Sequence, residues 1–322
     1  YSEYQIKVHE MFEGDQVEMK TVDSWLAGLV KKHVRLDVDW TARLADLVAR
    51  MGAIEGLAGV EAELEMLWTR GVMTRESYLE YSRIGMGRAL ARAQREAVWS
   101  LHEKLVEQAL AEGKGVPSLA WWLLLGHLTQ AGQSGARWAR VFVDECQDLT
   151  GTKLAILRRQ AEHLVLAGDS EQMIYRGTSP FLDAGMDMRR VTTVSLSQVY
   201  RNTIPIFEFA RRVREMIPDA EEGGTGHATR MGPVPDVHFE SGWNGLLDHL
   251  VERIRMLAFR DDALYEPGSI AVLTLGRPED YAARLEARNI KVRIAKHDDV
   301  DFAKTDAVFV STIHTAKGMD FP

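Results

Sequence analysis

Cysteine is nearly missing from this chain: one thiol, Cys146, in 322 residues. That excludes an intrachain disulfide framework and any zinc site built from several thiolates. Long apolar runs are missing too. The most apolar stretch, LAWWLLLGHL at 119 to 128, is only about half of the ~20 residues that a membrane span needs. It reads as a buried helix or an interface, and no membrane partner is expected. The first residues, YSEYQIKVHE, have neither the basic start nor the apolar centre of a signal peptide, which makes a cytoplasmic location the default expectation. Positive charge is not in excess. A net charge of −8 is not the footprint of a protein that coats nucleic acid by bulk electrostatics, although a local basic groove is still allowed. Finally, no Gly-x-x-x-x-Gly-Lys-Ser/Thr occurs. The one GKG, at 113 to 115, lies in a polar stretch ending a helix and is followed by Val116, so the sequence holds no self-contained phosphate cradle.

What the chain does have is the balance of an ordinary soluble protein, with 46% hydrophobic and 27% charged residues. Its length suggests two domains. From about residue 138 onward, short β-branched or apolar runs alternate with helical patterns, the signature of a parallel sheet covered by helices. The runs are ARVFV (139 to 143), HLVLA (163 to 167), VTTVSL (191 to 196), SIAVLTL (269 to 275), IKVRIA (290 to 295) and AVFVSTI (307 to 313). PIFEFARRVREMI, NGLLDHLVERIRMLAF and PEDYAARLEARN carry apolar residues at helical spacing between them. Residues 38 to 137 differ. Rich in Ala, Leu, Glu and Arg, they predict an all-helical insertion. The Gly- and Pro-rich EEGGTGHATRMGPVP at 221 to 235 predicts a loop.

VFVDECQDLT, 141 to 150, concentrates the chemistry. Val141, Phe142 and Val143 suit a buried strand, and Asp144 and Glu145 emerge at its C-terminal edge, where open α/β sheets bind ligands. A carboxylate there suits Mg²⁺, and a neighbouring one suits a water-activating base. Two readings stay open on this stretch alone: nucleotide chemistry, or acids that cap the next helix, as Asp148 would. A nucleophilic Cys146 is disfavoured, because three neighbouring carboxylates raise a thiol pKa. Similar polar segments follow at other expected strand ends: LVLAGDSEQMIYRG, SLSQVYRNT and STIHTAKGMDF.

This order of motifs resembles the UvrD/Rep group of superfamily 1 helicases. DECQD is similar to the family's Asp-Glu-x-Gln-Asp, AGDSEQMIY to Gly-Asp-x-x-Gln-x-Ile-Tyr, LSQVYRN to Leu-x-x-Asn-Tyr-Arg-Ser, and TIHTAKGMDF to Thr-x-His-x-x-Lys-Gly-Leu-Glu-Phe. VEMKTVDSWLAGLVKKH at 17 to 33 is similar to a strand-contacting Thr-Phe-His-Ser-Phe segment. The resemblance implies two RecA-like parallel-sheet domains of the P-loop NTPase type. The first would be incomplete and formed by 1–37 and 138–194, with 38–137 as its helical insertion, and the second would be 195–322. It implies ATP and Mg²⁺ as cofactors and single-stranded or partly duplex DNA as partner. Asp144 would hold Mg²⁺, Glu145 would activate the hydrolytic water, Gln172 would sense the γ-phosphate and Arg201 would stabilise its charge. Gly168, Asp169, Tyr200, Lys317 and Gly318 would border the nucleotide, with Asp320 at the ribose. Thr21, Ser24, Tyr175, Arg176, Thr312 and His314 would meet the strand.

The departures from the family carry expectations of their own. The missing phosphate cradle is expected upstream of Tyr1, the other reading being a relative that does not hydrolyse ATP. IYRG lacks an aromatic that the family places between Tyr175 and Arg176, and Asp23 replaces a histidine, setting a negative charge where phosphates would pass. A helicase-like scaffold that holds a protein partner through the helical insertion and its WWLLL run is the competing reading.

Overall fold

The computed structural model describes residues 17–51, 59–82, 89–130, 138–169, 180–216, 226–260, 263–294 and 305–316. The chain is mixed α/β, and every strand pair among the described residues is parallel. It divides into two compact units, Tyr1–Ser195 and Leu196–Pro322.

In the N-terminal unit, α1 (Val22–His33) opens on Thr21, whose hydroxyl accepts the Ser24 N–H at 3.2 Å. Asp23 in its first turn and Lys31, Lys32 and His33 in its last complement the helix dipole. There follow β1 (Asp37–Val38), α2 (Leu44–Met51), α3 (Val60–Thr69), α4 (Arg75–Glu80), α5 (Arg92–Glu112), β2 (Lys114–Gly115) and α6 (Pro117–Gln130). The stretch expected to be wholly helical therefore contains a small parallel strand pair, with Asp37 opposite Lys114 and Val38 opposite Gly115. Gly113 makes the pair reachable by ending α5 in the left-handed conformation, φ 65°, which glycine adopts at no steric cost.

These helices do not form a separate body. Leu26 of α1, Leu64 and Trp68 of α3, Trp121 and Leu124 of α6 and Leu154 and Ile156 further on share one continuous core. The WWLLL run contributes to that core. Trp121, Leu124 and Leu125 are at most 4% exposed, and Trp122 and Leu123 are partly buried, so most of the run is packed into this core.

A polar cluster sits inside this core. The Trp68 indole N–H donates to His102 Nδ1 at 3.0 Å, and the His102 ring lies edge-on to Trp99 and Trp122. Burial pushes the His102 imidazole down to about 4. Nearby, the buried Glu63 accepts from the Tyr78 hydroxyl at 2.9 Å.

Next come β3 (Trp138–Val143), α7 (Gly151–Gln160), β4 (Ala161–Leu166) and the short α8 (Pro180–Asp183). β3 and β4 pair with Val141 opposite Leu164 and Val143 opposite Leu166. Those four residues pack with Leu157 and with Val22 and Trp25 of α1, whereas Phe142 and Val165 alternate to the other side and are exposed. α1 is thereby fastened behind the strand end that carries Asp144.

The C-terminal unit contains β5 (Gln198–Thr203), α9 (Ile204–Glu215), β6 (His227–Arg230), α10 (Trp243–Ala258), β7 (Ala271–Thr274), α11 (Pro278–Glu286), β8 (Val292–Ile294), β9 (Val308–Thr312) and α12 (Ile313–Ala316). Its strands form two sheets, β5-β6 and β7-β9-β8. The central strand β9 buries Val308, Phe309, Val310 and Ser311 in succession, the pattern of a parallel strand covered on both faces. Val251 and Ile254 of α10 and Leu285 of α11 pack with Val308 and Val310 on one of those faces.

Two expectations fail here. VTTVSL is not a strand, since pairing begins at Gln198, and the HATR part of the expected loop is β6. A β-branched run without a partner gains no ladder, and Val194 and Leu196 stay 78% and 91% exposed. Pairing instead starts where Gln198 and Val199 meet His227 and Ala228. Among the described residues, no helix is long and apolar enough to cross a membrane.

Candidate functional site

Asp144 and Glu145 leave β3 at its C-terminal end, both exposed. The Asp144 carboxylate accepts the Glu145 N–H at 2.9 Å. Glu145 itself takes the left-handed conformation, φ 52° and ψ 39°, and leads into a single 3₁₀ turn, Cys146–Asp148. That conformation is costly for a residue with a side chain, and it turns the chain sharply while the carboxylate remains at the strand edge.

The neighbouring strand end is tied to this turn. The Cys146 N–H donates to the Ala167 carbonyl at 2.9 Å, and the Ala167 N–H donates to the Val143 carbonyl at 2.8 Å. Gln147, 5% exposed, then joins both carboxylate segments. Its amide nitrogen donates to Glu145 Oε2, and its carbonyl oxygen accepts the Asp169 N–H at 3.1 Å. Gln147 is not among the site residues expected from the sequence, although it lies inside DECQD. It fixes the Glu145 rotamer and couples it to the Gly168–Asp169 turn.

Gly168 is required by packing. A Cβ there would sit 2.5 Å from Gln147 Oε1 and 2.7 Å from Cys146 Sγ. Gly168→Ala is therefore expected to cost about 1 to 3 kcal/mol, the usual range for overpacking, and to loosen Glu145 with it. Denaturant unfolding checks this, and an unchanged midpoint would show that the turn yields freely. Cys146 acts as the small partner in that contact. Burial chiefly, and then the Asp144, Glu145 and Asp148 charges, push its thiol up, which leaves it a poor nucleophile.

The Asp144 and Glu145 oxygens are hard donors, suited to a Mg²⁺ that takes its remaining ligands from water and phosphate. Among the described residues, no group of three or more His, Cys, Asp or Glu side chains is placed to hold a metal by itself.

Thr21 and Ser24 lie exposed at the start of α1. Asp23 between them is not a bare negative charge, because Lys153 of α7 pairs with it at 2.5 Å. No local pattern signals this pair, because its members lie on different helices.

In the C-terminal unit, Tyr200 and Arg201 sit within β5 and not beyond a strand end. This corrects the expectation, and its cause is the later start of pairing noted above. Tyr200 donates to Gln198 Oε1 on its own face of the strand, and Arg201 projects to the other. The Arg201 carbonyl accepts from Arg230 of β6 at 3.3 Å. Thr312 ends β9 and accepts the Thr315 N–H at 3.1 Å, capping α12, on which His314 is exposed.

Asp144, Glu145, Gly168 and Asp169 are thus brought together in one unit, with Thr21 and Ser24 on the helix packed behind them. Gln172, Tyr175, Arg176, Lys317, Gly318 and Asp320 lie outside the described residues. No protein-family model matches the chain, and no curated protein matches it.

Proposed function

We propose that this chain is motor machinery of an ATP-driven translocase or helicase on single-stranded DNA, built from two RecA-like domains. The observation that carries the reading is the knitted strand-end pair, Asp144-Glu145 held to Gly168-Asp169 by Gln147. Parallel-strand ends of this kind are where α/β proteins bind nucleotides. ATP with Mg²⁺ supplies the hydrolysable phosphoryl group. Of the chain's own residues, Asp144 would hold the cation, and the Glu145 carboxylate, its rotamer fixed by Gln147, would take the proton of an attacking water. Arg201 of β5 is assigned to phosphate charge and Tyr200 to the nucleotide's surroundings. Thr21, Ser24, Thr312 and His314 are assigned to the strand.

The Asp23–Lys153 pair supports the strand assignment, because it removes the repulsion that an unpaired Asp23 would exert on a passing phosphate. The test is direct. Binding of a labelled single-stranded oligonucleotide, followed by anisotropy, is expected to weaken about tenfold or more between about 50 and about 200 mM salt, as counterion release at a few phosphates demands. Absence of binding at the lower salt would refute the reading.

A further inference from the structure

Trp40 stands apart from the tryptophans of the core. It is 56% exposed, whereas Trp68, Trp99 and Trp121 are buried, so a large aromatic area is left in water. The ring is nevertheless held in place. The Asp39 carboxylate accepts from the Thr41 N–H at 3.0 Å, the Thr41 hydroxyl at 2.8 Å and the Ala42 N–H at 3.1 Å, which closes a tight turn around Trp40. Behind it lies the Trp121 ring, 6.0 Å away between centroids and tilted by 56°. The indole is thus backed on one side and open on the other.

The topology brings this ring to the end of the unit where α1 begins. β1 and β2 are parallel, and beyond them the Asp39 N–H donates to the Gly115 carbonyl at 2.9 Å. β2 leads directly into α6, whose Ser118 and Trp121 border the same shallow dent as Asp23 of α1. Trp40, just past the end of β1, arrives beside them, so a strand that touches Thr21 and Ser24 would reach it within a few nucleotides. The local charge favours such a strand. Between residues 31 and 43 four Lys or Arg stand against two Asp, in a chain whose net charge is −8. Both acids are engaged: Asp37 pairs with Lys31 at 3.2 Å, and the Thr41 hydroxyl chiefly, with a smaller effect of Lys114, holds the Asp39 carboxyl below its ordinary range. Lys114 and Arg43 are exposed. Asp39, Thr41 and Arg43 around the ring are polar, so the apolar area is narrow, far below the ~800 Å² that a protein partner buries on each side.

We propose that Trp40 is a stacking platform for one base of the bound single strand, with Lys114 and Arg43 drawn to the flanking phosphates. An open aromatic face beside cations suits unpaired nucleotides, because every base has a π-face and every linkage a negative charge. Bases in a duplex are already stacked and must be extruded before they can meet such a ring. The site therefore selects single strand over duplex and carries no base preference. The inference rests on the single-strand reading given above. It extends that reading from the start of α1 to the first residues of the helical region.

Anisotropy titrations of the chain with a labelled thymidine homopolymer, and with an abasic strand of equal length, test it. The wild type is expected to bind the base-bearing strand about tenfold more tightly than the abasic one, a difference within the range of one base stacked on an aromatic side chain. Trp40→Ala is expected to lose that preference, with about tenfold weaker binding of the base-bearing strand, little change on the abasic strand and the same salt dependence. Trp40→Phe, which keeps an aromatic face, should retain most of the affinity. Lys114→Ala should weaken both strands alike and make the logarithmic salt dependence shallower by about one unit. Unchanged binding of the base-bearing strand by Trp40→Ala, or an equal loss on both strands, would overturn the platform and leave the strand reading standing. Absence of binding to either strand by the wild type would remove the strand reading and the platform with it.

Discussion

Lowering the pH from 6.5 towards 4 is expected to remove about 3 kcal/mol of stability from the N-terminal unit through His102 alone. The imidazole's ordinary value of 6.5 falls to about 4 in the fold because burial penalises its charged form. Above 6.5 the ring is neutral whether the chain is folded or not, and it contributes no pH dependence. Between 6.5 and about 4 the unfolded chain binds a proton that the folded chain refuses. Stability therefore falls as the pH falls, by about 1.4 kcal/mol per pH unit. Below about 4 both states are protonated and this contribution stops changing. The cause is geometric. Nδ1 accepts the Trp68 indole N–H at 3.0 Å, and Trp99 and Trp122 surround the ring, so a second proton would enter a pocket that offers little solvation. His102→Asn, which keeps an acceptor but does not titrate, should flatten the stability profile between pH 6.5 and 5, where most carboxylates are still ionised. Parallel wild-type and variant profiles in denaturant titrations would show that another group is responsible.

How legible the molecule was depends on whether an element carries its own signal. β3, β4 and β9 are legible because each contains a short apolar run, VFV, LVL and VFV, placed before a polar turn, and α10 and α11 because their apolar residues recur at helical spacing. β6 carried no such signal. HATR has no apolar run, and it becomes a strand only because Gln198 and Val199 offer it a partner. VTTVSL had the composition of a strand but lacked the partner, and the long-range pairing energy decided against it. The site divides in the same way. Asp144, Glu145 and Gly168 follow from local motif and turn chemistry. The ties that give them a fixed geometry could not be read locally, because Gln147 bridges to Asp169 on the next strand end and Lys153 reaches Asp23 on another helix. The Asp23 charge illustrates the consequence. In sequence it is an obstacle to a phosphate backbone, and in the fold it is neutralised.

On the proposed motor reading, Glu145→Gln is expected to lower ATP turnover by about 10² to 10⁴, the range that general base catalysis supplies, in any longer polypeptide that supplies a phosphate cradle. Nucleotide affinity should change little. The substitution isolates basicity from shape. Gln has the length of Glu, its oxygen can still accept from the Gln147 amide that now holds Glu145 Oε2, and the left-handed backbone at φ 52° costs both residues the same. An effect on kcat with KM preserved therefore reports a lost proton acceptor and not a displaced turn. Glu145→Gly supplies the complementary measurement. Glycine accepts positive φ without the ~1 kcal/mol or more that a side chain costs there, so this variant is expected to unfold no earlier than the wild type and yet to turn over no faster than Glu145→Gln. Stability kept while turnover falls would mean that the strained backbone is maintained for the carboxylate it presents. Gln147→Ala should sit between the wild type and Glu145→Gln, with Glu145 still basic but no longer tied to Asp169, giving a partial loss of kcat. Wild-type turnover in Glu145→Gln would remove the residue from the chemistry and return Asp144-Glu145 to the status of acids that cap a turn.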